Sequence, residues 1–298
     1  MAKDLIVGVV DNYKWDKIKY WANSIKKSGF TGHKALIVYN MDTETVKKLT
    51  DEEFMLIGCG QYDEKTGFKH DNSKGSVMVD RFFHLYGFLN VLSEPVNNVI
   101  MTDVRDVVFQ SDPSKWLNNN DNQIIVGSEN LKYKDEPWGC NNLQQAFGPY
   151  FLETHGDNEI YCAGVIAGKR NAMRDLALNV WLICHGLNPH VPGGGGPDQA
   201  ALNILLQTDA YTIQTNFTNP TDGWVIHAGT SLPAIKAGSG GIGEAYRNNP
   251  MMVLPFVKQI DYNVTDNEIY ANSKKATVVH QWDRVPIWKE LVENKYGD

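Results

Sequence analysis

The stretch Asn98-Val-Ile-Met-Thr-Asp103-Val-Arg105-Asp106-Val-Val-Phe-Gln-Ser-Asp112-Pro113 is the part of this 298-residue chain whose residue types are best suited to chemistry. An apolar run of the kind that forms a buried strand ends in two carboxylates three residues apart. In open α/β sheets, ligands bind just outside the carboxyl ends of the strands. Carboxylates at such a place serve as hard oxygen ligands for Mg²⁺ or Mn²⁺, ions that in turn hold phosphate oxygens. Arg105, between the two acids, suits hydrogen bonding to a phosphate or orienting a carboxylate. A second reading needs no ligand: a turn closed by an Asp–Arg ion pair, with Asp112 capping the helix that Pro113 begins. Spacing alone leaves both open.

The surrounding pattern shows what must position these acids. Leu5–Val10 is a continuous apolar run and therefore a buried strand. Trp15, Ile18, Ala22 and Ile25 then recur at helical spacing, and Ser28-Gly29 closes that helix. Strands are predicted at Ala35–Tyr39, Phe54–Ile57, Val99–Thr102 and Gln123–Val126. The segment from Ser76 to Leu92 reads as a helix with its apolar stripe on Met78, Phe82, Leu85, Leu89 and Leu92. Strand–helix–strand alternation over the first ~130 residues implies a parallel α/β sheet. Beyond it come a strand at Tyr161–Ala167, helices at Ala172–Cys184, Pro197–Gln207 and Val285–Lys295, and short strands near Val225, Met252 and Val278. No linker divides the chain. It is expected to be a single domain, residues 1–298, with a nucleotide-binding half (1–130) and a substrate-binding half (131–298).

Composition narrows the partners. Lys plus Arg number 28 against 35 Asp plus Glu, a formal charge of −7. A generic nucleic-acid or anionic-membrane binder would carry a basic surplus. No apolar run approaches the ~20 residues of a membrane span, and the chain enters a strand pattern within its first residues, so a cytoplasmic location is expected. Cys59, Cys140, Cys162 and Cys184 form no CxxC pair and read as reduced thiols. Gly238-Ser-Gly240-Gly241-Ile-Gly243 fits G-x-G-x-x-G literally. A dinucleotide site would need a strand directly before the glycines and a full helix after them. Ser231-Leu-Pro233 precedes and Asn248-Asn249-Pro250 interrupts, so a mobile loop beside the substrate cleft is expected instead. Gly193–Gly196 is expected to be a flexible lid.

Six motifs in order add a resemblance that spans nearly the whole chain. The Asp103–Asp106 segment, with Phe109-Gln110-Ser-Asp112-Pro113 after it, resembles the metal-binding DxD region of GT-A glycosyltransferases, in a D-x-x-D variant. Val9-Val10-Asp11-Asn12-Tyr13 resembles the first-strand exit of family 8-like enzymes, whose residues contact the base and ribose of the donor. Asp80-Arg81-Phe82 falls where that family places a basic residue facing the donor phosphates. Tyr161-Cys162-Ala163-Gly164-Val165 is similar to the strand lining the sugar pocket. Pro197-Asp198-Gln199-Ala-Ala-Leu202-Asn203 is similar to the DQ-x-x-LN helix start. Val279-His280-Gln281-Trp-Asp283-Arg284 resembles the late motif whose imidazole completes the metal site. His227, in His227-Ala-Gly229-Thr-Ser-Leu-Pro233, echoes another form of that motif and is the competing ligand.

The resemblance implies a GT-A, Rossmann-like α/β fold with a mixed, mainly parallel sheet flanked by helices. It implies transfer of a sugar from a nucleotide-sugar, by family habit a UDP-sugar, to a carbohydrate or glycoconjugate acceptor, with retention of anomeric configuration. The implied metal ligands for Mn²⁺ or Mg²⁺ are Asp103, Asp106 and His280. The implied donor-binding residues are Asp11, Asn12, Tyr13, Arg81, Arg105, Cys162 and Gly164, and Asp198 and Gln199 would act on the sugar. Two other classes compete: a sugar-phosphate nucleotidyltransferase, which would normally carry a glycine-rich phosphate loop after its first strand, and an inactive carbohydrate-binding relative.

Overall fold

The computed structural model describes residues 2–71, 76–191 and 194–298. A seven-stranded sheet runs in the order Thr215–Thr218, Ile124–Lys132, Glu159–Lys169, Val96–Thr102, Lys3–Val10, His33–Val38, Met55–Gly58. Only Glu159–Lys169 runs against its neighbours; the other adjacent pairs are parallel. This is the mixed, mainly parallel α/β architecture expected.

The continuous apolar runs follow from helices covering both faces of the sheet. Because strand side chains alternate, Leu5, Val7, Val9, Ala35, Ile37, Val99 and Met101 enter one core. It is closed by the helices Val77–Val91, Arg170–Cys184 and Asp198–Leu206. Ile6, Val10, Leu36, Val38 and Ile100 enter the other, closed by the helix Trp15–Ser28. That helix ends where Gly29 adopts φ +81°, a left-handed conformation open to glycine at little steric cost.

A second, three-stranded sheet aligns Val225–His227, Val278–His280 and Val107–Phe109. It pairs His227 with His280 in parallel register and His280 with Val107 in antiparallel register. No described helix is long and apolar enough to cross a membrane, and all four cysteines are free thiols.

Three local expectations are corrected. Residues near Met252 form a short helix, Pro250–Val253, because Pro250 stands in its first turn, a position proline favours. Met78 leaves the apolar stripe and is 44% exposed, while Val79 takes the buried position. The Gly238–Gly243 segment is not a free loop: Gly240 starts the helix Gly240–Asn248 after a turn at Gly238, φ +87°. The helix Leu232–Lys236, rather than a strand, precedes it, so the dinucleotide reading stays excluded. Of the segment expected to be a lid, Gly193 lies outside the described residues. The Gly194 and Gly196 carbonyls accept from Trp138 Nε1 and Asn142 Nδ2 at 3.2 and 2.9 Å.

Candidate active site

The Val96–Thr102 strand delivers Asp103 to the sheet's carboxyl edge, where its backbone N–H donates to the Gly164 carbonyl at 2.8 Å. Three residues on, Asp106 leads into the second sheet, and its carbonyl accepts from the Gln281 N–H at 2.7 Å. His280 therefore arrives between the two acids by strand register. Its Nε2 lies 3.5 Å from Asp103 Oδ2 and 3.8 Å from Asp106 Oδ1. One donor atom from each of the three residues falls within 4.8 Å of the others.

Two features hold the imidazole there. Gly164 supplies the space, since a Cβ on it would lie 2.4 Å from His280 Cε1 and 3.0 Å from Asp103 Oδ2. His227 supplies a hydrogen bond: its Nδ1 lies 2.9 Å from His280 Nδ1, so one ring donates and the other accepts. Donation from His280 leaves its Nε2 lone pair facing the acids, the form a metal ligand needs. Cys162, His227 and His280 form a second set within 4.8 Å. His280 faces that set with Nδ1, 3.6 Å from Cys162 Sγ, and keeps Nε2 for the acids.

Arg81 is the fixed cation of the site. It is 4% exposed and donates to Asp103 Oδ1 at 2.6 Å and Asp198 Oδ2 at 2.7 Å. Burial works against the charge on Asp103, but Arg81 and His280 hold its carboxyl down to about 2. Burial prevails over Arg81 at Asp198, whose pKa is raised. Burial lowers His227, and the neighbouring His280 lowers it further. His280 is raised despite burial by its contacts with Asp103 and Asp106.

The site opens into a cavity of about 830 Å³. Of the residues expected from sequence, all except Asn12 line it or its metal corner; among these are Asp11, Tyr13, Arg105, Cys162, Gly164 and Gln199. Asn12 is exposed, turns at φ +55°, and donates its amide to Asp11 at 3.3 Å. Asp11 does not cap the next helix, whose N-cap is Lys14; it also accepts from Asn40 Nδ2 at 2.7 Å. Arg105 pairs with Asp106 at 2.9 Å and reaches Asp283 at 3.7 Å. The ion-pair reading of the turn and the cap at Asp112, which accepts from the Ser114 N–H, are therefore both present beside the acid–imidazole cluster. Of the two histidines, His280 faces the acids and His227 stands behind it.

Sequence reasoning missed Glu129, Glu136 and Trp138, and gave no role to Gln281 and Arg284 of the late motif; all five also line the cavity. Glu129 had a signal: it follows the apolar run Ile124-Ile125-Val126 as Asp103 follows Val99-Ile100-Met101. Burial, and then the charge of Glu136, raise its carboxyl to about 7.

No family model matches the chain, and no curated protein matches it. Among solved structures it is similar to the apo form of the glycosyltransferase GlyE from Streptococcus pneumoniae TIGR4. The identity is 11% and the TM-score 0.47, over 100% of this chain and 64% of that one. The chain thus spans less than two thirds of the length of the structure it matches.

Proposed function

We propose that this protein is a metal-dependent GT-A-type glycosyltransferase that moves a sugar from a nucleotide-sugar, a UDP-sugar foremost, to the hydroxyl of a carbohydrate or glycoconjugate. The observation carrying this reading is the cluster of Asp103, Asp106 and His280 at the edge of a cavity large enough for a sugar nucleotide. Two carboxylates suit Mg²⁺ and Mn²⁺ alike; the imidazole nitrogen tilts the set toward Mn²⁺. When bound, the ion supplies positive charge where the departing diphosphate gathers negative charge.

The chain's own residues do the rest. Arg81 fixes Asp103 and Asp198 in place, so neither acid must reorganise as the leaving group forms. Asp198, held by Arg81, lines the same cavity and suits sugar hydroxyls or the oxocarbenium-like face. Asp11 and Tyr13, at the exit of the first strand, form the wall suited to the base and ribose.

Release of nucleotide tests the reading. The protein is incubated with Mn²⁺ and a series of UDP- and GDP-sugars, with and without simple sugar acceptors. Metal-dependent release of UDP from one donor is expected. No release from any donor, with no metal-dependent nucleotide binding, would leave the inactive carbohydrate-binding alternative in its place.

A further inference from the structure

Behind the acid corner a thiol and two imidazoles converge. Cys162 comes from the Glu159–Lys169 strand, and His227 and His280 come from paired strands of the three-stranded sheet. Each is 4% exposed or less. His280 Nδ1 lies 2.9 Å from His227 Nδ1 and 3.6 Å from Cys162 Sγ, and one donor atom from each residue falls within 4.8 Å of the others. Around a tetrahedral Zn²⁺, two ligand nitrogens stand about 3.4 Å apart, and a nitrogen and a sulfur about 3.6 Å. The nitrogen pair is about 0.5 Å short of that spacing, and the nitrogen–sulfur pair matches it.

The surroundings hold both rings in place. A Cβ on Gly127 would lie 2.6 Å from His227 Nε2, and one on Gly164 would lie 2.4 Å from His280 Cε1. Each imidazole therefore fills space that a glycine leaves open. On its far side, His280 Nε2 faces Asp103 and Asp106 at 3.5 and 3.8 Å. A metal-bound imidazole commonly gives its other N–H to a carboxylate, which fixes its tautomer. A hydrogen bond between the two histidines uses two of the three converging donor atoms, whereas a bound ion uses all three. Thiolate and imidazole suit Zn²⁺ and its borderline-soft neighbours; carboxylates suit Mg²⁺ and Mn²⁺. Cys162, Gly164 and His280 line the cavity, which gives an ion a path in.

We propose that Cys162, His227 and His280 form a second cation site, of the Zn²⁺ class, with a fourth position open to water, and that filling it withdraws His280 from the acid corner. The thiolate site stands without the transferase reading; the withdrawal rests on the Mn²⁺ corner of that reading. On binding, Cys162 Sγ bonds to the ion and gives its proton to Glu129, whose carboxylate takes the thiol's hydrogen bond. His227 and His280 bond through Nδ1, and the proton of the His280 ring then sits on Nε2, pointing at the acids. A neutral imidazole has one lone pair to give. An ion at Nδ1 thus leaves Nε2 none for an ion between Asp103 and Asp106. The two sites are alternatives that share one ring, and a thiophilic ion opposes Mn²⁺.

Co²⁺ tests this, because Co²⁺ on a thiolate has a near-ultraviolet charge-transfer band that Co²⁺ on nitrogen and oxygen alone lacks. The full chain, freed of metal with EDTA and kept reduced with a phosphine, is titrated with Co²⁺ and then with Zn²⁺. Wild type is expected to develop the band and to lose it to Zn²⁺. Cys162→Ser is expected to lack it, and Asp106→Asn to keep it. Saturating Mn²⁺ is expected to diminish the band in wild type but not in Asp106→Asn, whose acid corner is weakened. Should Cys162→Ser not fold, a chain carrying Cys59→Ser, Cys140→Ser and Cys184→Ala retains Cys162 as its single thiol and is expected to keep the band. No band in wild type or in the single-thiol chain, or a band in folded Cys162→Ser, overturns the site. A wild-type band that saturating Mn²⁺ leaves unchanged overturns the sharing of His280. A wild type that shows the band but consumes no sugar donor defeats the transferase reading and leaves the thiolate site standing.

Discussion

At the scale of single residues, the site rests on a few side chains with no slack around them. Arg81 is buried between two acids, so Arg81→Ala leaves their charges uncompensated. A loss of about 3–5 kcal/mol in folding stability is expected, read by urea unfolding. Gly164→Ala places a methyl group 2.4 Å from the His280 ring. Overpacking of this kind costs about 1–3 kcal/mol, and displacement of the ring is expected to weaken Mn²⁺ binding, measured by calorimetry. Glu129 makes a signed prediction about pH. Its folded pKa of about 7 lies above its ordinary value of 4.5, so ionising it opposes folding once the pH passes 4.5. Glu129→Gln is therefore expected to be more stable than wild type at pH 8, with the advantage shrinking as the pH falls toward 4.5.

At the scale of elements, the metal corner is where two sheets meet. The strand ending in Thr102 supplies one acid, and the three-stranded sheet supplies the other acid and the imidazole. The joint is reinforced from the helix Trp15–Ser28, whose Trp21 Nε1 donates to Thr102 Oγ1 at 2.9 Å in the core. Thr102→Val keeps the shape but leaves that N–H without an acceptor. A cost of about 1–3 kcal/mol is expected in denaturant unfolding. Much of this level was legible in sequence. The apolar runs marked the strands because both faces of the sheet are covered, and Gly29 marked the end of the first helix. The short strand Val107–Phe109 and the pairing of His227 with His280 were not legible. They join residues far apart in the chain, and three-residue strands carry almost no periodicity. For the same reason Asp103 and Asp106 could be picked out locally, but His280 only through a resemblance. Glu129 went unnoticed although its strand carried the same signal.

At the scale of the whole molecule, the acidic chain keeps Arg81, the one buried arginine among the described residues, facing the cavity. A ligand that binds only the folded state stabilises it, by about 2.7 kcal/mol at a hundred times its Kd. Mn²⁺ and UDP together are accordingly expected to raise the Tm in a thermal-shift measurement, and EDTA to abolish the rise. The central claim is that Asp103, Asp106 and His280 jointly hold a divalent ion against a nucleotide. Its most direct test is UDP affinity by calorimetry, with Mn²⁺ and with EDTA, for wild type, Asp106→Asn and His280→Gln. The account predicts that wild type binds UDP only with Mn²⁺ and that each substitution weakens this binding by at least about tenfold. UDP affinity indifferent to EDTA, or unchanged in both variants, would contradict it.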